Sequence, residues 1–131
     1  MLDMNPVIRD TWTAELRSGK YAQGKTNLRK GDNYCCLGVL CELAVEAGVV
    51  ESAKAAAVLD STYYDDDEFL YGGALTMLPD EVMEWAGLKE AFPVVTSNGE
   101  WIDLSHLNDT GVPFEKIADY IDGKVDTAPV V

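Results

Sequence analysis

The stretch Asn33 to Ala44, NYCCLGVLCELA, sets three cysteines within seven positions of a run that otherwise reads as the start of a buried helix. Its apolar residues weigh most in the fold class. Leu37, Leu40, Cys41 and Ala44, continued by Gly48 or Val45, recur at helical spacing and make one inner face. Asp32 or Asn33 is placed to cap this helix, since a short polar side chain can accept the N–H groups of the first turn. The cysteines admit three readings: metal ligands, a nucleophile with neighbours, or small apolar residues in a core.

A structural zinc site needs about four ligands converging on one ion. Adjacent helical side chains such as Cys35 and Cys36 point about 100° apart, and five positions, from Cys36 to Cys41, leave an offset of about 140°. No pair forms C-x-x-C, so neither a metal nor a cofactor is assigned, and an odd count argues against paired disulfides. For the nucleophile reading, Cys35 or Cys36 lies at the first turn, where exposed N–H groups favour a thiolate. His106 would then be the base, oriented by Asn108 or Asp109, giving a Cys-dependent hydrolase. Any chain with one Cys and one His permits that scheme. The core reading leads, because cysteine is among the most often buried residues and Cys41 lies on the apolar stripe. His106 is read as a surface or capping residue.

Outward from this helix, Asn5 and Pro6 form a cap and first-turn pair, and Ile8, Trp12 and Leu16, with Val7 and Leu2, form a stripe ending near Gly19. Residues 21–34 read as a loop or a short basic hairpin, and 49–59 as an extension of the central helical region after a break. STYYDDDEFLYGG, Ser61 to Gly73, reads as two short strands or an exposed loop. Pro79 opens a short helix with Val82, Trp85 and Ala86 inward and Gly87 at its end. Val94–Thr96 and Trp101–Asp103 flank Asn98-Gly99, a strong hairpin signal because both turn residues need positive φ, with Trp101 expected on the core beside Trp85. Leu104 and Leu107 suggest a short helical turn, and a last helix starts near Val112 or Pro113, buries Phe114, Ile117, Ala118 and Ile121, and stops at Gly123. The expected fold is α+β, with three to four short helices, a β-hairpin and a small antiparallel sheet that segments of 61–73 would complete. Residues 1–123 are taken as a single globular domain and 124–131 as a C-terminal tail.

The 131 residues carry 10 Lys and Arg against 23 Asp and Glu, a net charge of −13. A field of that sign disfavours nucleic acid and anionic membranes and favours basic partners. No stretch approaches a membrane span, and MLDMNPVIRD lacks the basic-then-apolar pattern of an export signal, so a non-exported protein of the cytoplasm is expected. The charge is unevenly spread: residues 1–34 hold six basic and four acidic side chains, whereas 35–131 hold four and 19. Arg17, Lys20, Lys25, Arg29 and Lys30 follow one another with no acid between them. They are either a site for a small anionic ligand or nucleotide, or a surface that lies against the protein's own acids. Gly24-Lys25-Thr26 superficially suggests a phosphate loop, but no strand precedes it. Asp65, Asp66, Asp67 and Glu68 do not form an EF-hand, because a loop starting at Asp60 would have Asp65 where Gly is needed and Tyr71 where Glu is needed. With Tyr63, Tyr64, Phe69 and Tyr71, those acids instead suit a surface that holds a basic protein.

R-S-G-x-Y-x-Q-G-x-x-x-L-R, then CCLGVLCELA, LPDEVMEWAGL and LNDTGVPFEKIADYI, together resemble a family of small uncharacterised proteins of tailed bacteriophages and prophages, from about Trp12 to Ile121. The resemblance implies an accessory product that binds a host factor, without implying any chemistry. The leading reading is a non-enzymatic, phage-associated protein that binds a basic host protein in the bacterial cytoplasm through residues 63–71, as an inhibitor for example. Small-anion binding through residues 17–30, as a sponge or sensor, is the alternative.

Overall fold

The computed structural model describes residues 1–59, 63–97 and 99–124. Six helices appear among them, two or more beyond the expected three to four. They are α1 (Pro6–Arg17), α2 (Cys36–Glu46), α3 (Ala55–Leu59), α4 (Asp80–Ala86), α5 (Leu104–Asp109) and α6 (Phe114–Ile121). Seven short strands among the described residues complete a mixed α+β fold. β1 (Ala22–Gln23), β2 (Arg29–Lys30) and β3 (Asn33–Tyr34) make a sheet ordered β1-β3-β2, with β1 parallel and β2 antiparallel to β3. β4 (Ser52–Lys54) pairs antiparallel with β5 (Phe69–Tyr71), and β6 (Val94–Ser97) with β7 (Glu100–Asp103).

Of the added helices, α5 is the short helical turn expected at Leu104 and Leu107, and α3 is too short to show periodicity. The 49–59 region is strand β4 followed by the single turn α3, where Ala-rich composition alone suggested a continued helix. Of the two strands considered for 61–73, β5 is present; Ser61 and Thr62 lie outside the described residues.

α2 is buried all round rather than on one face: Cys36 to Cys41, Leu43 and Ala44 are all inside. An apolar helix of this kind belongs at the centre of a core, and the others gather on it. Trp12 of α1 is fully buried, and its indole N–H donates to the Cys36 carbonyl at 3.0 Å. Gly38 admits a still closer neighbour. A Cβ there would lie 1.7 Å from the Leu28 carbonyl oxygen, so the backbone of 28 rests on the helix only because residue 38 has no side chain. The Leu28 carbonyl also accepts the Cys35 N–H at 3.2 Å.

α1 starts where local rules put it. Asn5 Oδ1 accepts from Val7 N–H at 2.9 Å and Ile8 N–H at 3.2 Å, with Pro6 at the first turn. Leu2 is buried as expected, but Val7 is exposed. Backbone bonds from Leu2 to Ile121 and from Asn5 to Ala86 lay the segment before α1 between the ends of α6 and α4. Pro79 and Pro113 stand one residue before α4 and α6 as N-caps. In α4, Val82 and Ala86 are buried and Trp85 is half-buried against the core.

The β6–β7 pair corrects one expectation. Opposite residues in an antiparallel pair share a face, and Val95 faces Ile102 on the buried side while Thr96 faces Trp101 on the other. Trp101 is therefore 75% exposed, and Ile102 takes the core position. A period of two leaves the choice of face to the partner surface, and the branched pair Val95–Ile102 takes it. Gly99 has φ +78°; Asn98, expected at positive φ beside it, lies outside the described residues.

Candidate functional site

Polar side chains from three parts of the chain meet at the start of α2. Cys35, rather than Asp32 or Asn33, is the N-cap: its Sγ accepts the Gly38 N–H at 3.3 Å, while Asn33 pairs in β3. The Cys36 N–H donates to Asn108 Oδ1 at 3.1 Å, and the Cys36 thiol points to the Leu104 carbonyl at 3.6 Å. Asn108 is buried and fully used. Its Oδ1 also accepts from Gln23 Nε2 at 3.0 Å, and its Nδ2 donates to the Gly24 carbonyl at 2.8 Å and Asp109 Oδ1 at 3.2 Å. Asp109 Oδ1 accepts the Thr26 N–H at 2.8 Å. The polar pair of the LNDTG motif thus ties α5, the 22–26 segment and the start of α2 together.

That arrangement opposes the nucleophile reading. The Gly38 N–H on the Cys35 sulfur works to lower that thiol's pKa, but burial outweighs it, and the Cys36 N–H is taken by Asn108. Burial pushes the Cys35 thiol up to about 11 and holds those of Cys36 and Cys41 well above their ordinary value. Asn108 and Asp109 bond to the 22–26 segment and α2 rather than to His106, which is exposed on α5. Among the described residues no three His, Cys, Asp or Glu side chains gather in a way that would hold a metal ion.

Gly19 to Thr26, GKYAQGKT, does meet the G-x-x-x-x-G-K-T spacing of a phosphate loop. Its setting is otherwise. It follows helix α1 instead of a strand, carries β1 inside it and leads to strand β2 instead of a helix. Thr26 sits at φ +67°, with its N–H already on the Asp109 carboxylate.

The five basic residues of 17–30 go to separate places. Arg17 bridges Asp119 of α6 at 2.9 Å and the C-cap residue Asp122 at 2.8 Å, and the hydrogen bond to Asp119 chiefly raises its pKa. Lys20 lies 3.9 Å from Glu15 and 5.4 Å from the Tyr21 ring centre. Lys30 pairs with Asp65 at 3.0 Å. Lys25 is exposed with no ion pair among the described residues. Arg29 places its guanidinium 3.9 Å from the centre of the Phe69 ring and 5.2 Å from that of Tyr34, with Nε donating to the Gly31 carbonyl. Lys30 also bridges to Glu68 through the backbone, and the Gly31 N–H donates to the Asp67 carbonyl at 2.7 Å. Part of the basic segment therefore lies against the protein's own acidic and aromatic segment.

The acidic and aromatic segment is divided by the same contacts. Tyr71 is buried, with its hydroxyl on Glu42 at 2.7 Å, and Phe69 is half-buried under Arg29. What faces outward is Tyr63, 88% exposed and edge-on to half-buried Tyr64 at 5.7 Å, with exposed Asp65, Asp66 and Asp67 and half-exposed Glu68 following. A second exposed aromatic, Trp101, was missed in the sequence because a core position was expected of it. It borders a cleft of about 150 Å³.

The chain belongs to the family described as "Domain of unknown function (DUF8296)", whose pattern matches residues 4–125. No curated protein and no solved structure matches it. No helix among the described residues is long and apolar enough to cross a membrane.

Proposed function

We propose that this is a phage-associated accessory protein that binds a basic protein of the bacterial host, in the host cytoplasm, and blocks it by occupancy. The phage association rests on the motif resemblance alone. The binding role is supported chiefly by Tyr63, an almost fully exposed aromatic beside Tyr64, followed at once by Asp65, Asp66 and Asp67. An exposed ring offers contact area at low entropic cost, and neighbouring carboxylates steer a cationic surface toward it. Charged residues at the rim act mostly on association rate, in a salt-dependent way.

The test reverses Asp66 and Asp67 to Lys and leaves Asp65, which Lys30 already holds. Parent and variant are compared in affinity capture from host lysate at low and high salt, with mass spectrometry. Basic proteins retained by the parent at low salt and lost by the variant are the expected result. An identical set of captured proteins from both would sink the proposal.

A further inference from the structure

Leu2, Leu88 and Pro93 line the apolar part of the Trp101 cleft, with Asp3 and Glu90 as its carboxylates. At about 150 Å³ it is smaller than the roughly 300–1,000 Å³ of small-molecule sites. It is scaled to one side chain. The exposed indole is a large apolar surface left in water, and tryptophan is the residue most enriched among binding hot spots.

The charge around it specifies the occupant. The cleft's charged lining is two carboxylates, Asp3 and Glu90, against one ammonium, Lys89. A side chain with an aliphatic stem and a cationic head suits all of the lining but Lys89: the stem would lie on Leu2, Leu88 and Pro93 and the head against the indole, in a cleft that Asp3 and Glu90 also line. Arginine fits better than lysine, because its planar, weakly hydrated guanidinium stacks on aromatic faces. Arg29 on Phe69 is the same contact made inside this protein.

We propose that the cleft bordered by Trp101, Asp3 and Glu90 receives an arginine side chain of a basic partner protein. The site rests on the reading of the partner as a basic protein but not on the Tyr63 loop. Lys89, which also borders the cleft, weakens the site and sets its salt dependence.

The probe is an acetylated, amidated hexa-arginine peptide with a fluorophore, titrated by anisotropy, beside a hexa-citrulline peptide with the same stem and no charge. Trp101→Ala should weaken hexa-arginine binding by about fivefold, in keeping with an exposed cation–ring contact. Lys89→Glu should strengthen it at low salt, and citrulline should bind far less than arginine. In the parent, saturation should shift the emission of the exposed indole, which contrasts with fully buried Trp12 and half-buried Trp85. Equal affinity for parent and Trp101→Ala, equal binding of citrulline, or an unmoved indole would overturn the proposal. So would an indole shift on concentrating the protein alone, which would mean that a second copy covers the cleft. Reversal of Asp66 and Asp67 should leave the indole response in place. Loss of lysate partners on that reversal with no effect of Trp101→Ala sinks the cleft alone, and the opposite pattern sinks the loop alone.

Discussion

Two aromatic regions of this protein lie beside acids, and they are used in opposite directions. Around Phe69 the protein supplies its own cation: Arg29 covers the ring, Lys30 pairs with Asp65, and Tyr71 turns inward to Glu42. Around Trp101 no cation among the described residues lies over the ring, and the indole stands in solvent. The difference is one of anchoring. Residues 28–31 are clamped between α2 and the 67–75 segment, by Gly38 on one side and by bonds from Leu28 to Leu75 and Gly31 to Asp67 on the other. The β6–β7 pair spends its buried side on Val95 and Ile102 and keeps Trp101 on the other.

The comparison breaks most sharply at the clamp. Gly38→Ala should cost about 3 kcal/mol or more, because a methyl cannot coexist with the Leu28 carbonyl without moving the backbone. Urea unfolding reads it, and an unchanged midpoint would mean that the strip is held by something other than close approach. Asn108→Ala should cost about 2–3 kcal/mol, since it strands the Cys36 N–H and the Gly24 carbonyl in a buried setting. Because the same amide holds the 22–26 segment, amide exchange there should rise in the variant. Protection equal to the parent's would refute the linking role.

Alkaline pH probes the same core more gently. The Cys35 thiol is raised from an ordinary 9.0 to about 11 and the Tyr21 phenol from 10.0 to about 12, both chiefly by burial. The folded protein therefore holds these protons longer than the unfolded chain, and stability falls as pH rises from about 9 through 11 or 12. Thermal unfolding should show a midpoint that declines as pH rises above about 9, with native thiols slow to label at pH 8. Fast labelling of the native protein would contradict the burial.

On the open side the effects on stability shrink. Gly99→Ala should cost about 1 kcal/mol, because an L side chain at φ +78° is strained. Trp101→Ala should change stability by about 0.5 kcal/mol or less, as for exposed positions generally. A loss of several kcal/mol there would place the indole in the core after all and close the contrast between the regions.

Local patterns carried much of this fold. The Asn5–Pro6 start of α1 was readable because a cap acts over two or three residues, and burial of α2 because an apolar run that long has nowhere else to go. The count of six was not readable: five-residue α3 is too short to show a period, and α5 was legible only as a helical turn at Leu104 and Leu107. Arg29 on Phe69, 40 positions apart, illustrates the remaining class: spacing along the chain says nothing about which cation meets which ring.

For the candidate sites the division is sharper. The sequence by itself determined an acidic chain with a basic strip, an acid-and-tyrosine segment and three cysteines at a helix start, because these are matters of composition and short-range order. Only the tertiary structure decided what each could do. It buried all three thiols, placed Phe69 under Arg29 while exposing Tyr63, and left Trp101 over a cleft. The physical reason is that exposure and partnership come from surfaces meeting across the fold: a period of two tells a strand that it has two faces, and only the core that packs against it chooses between them.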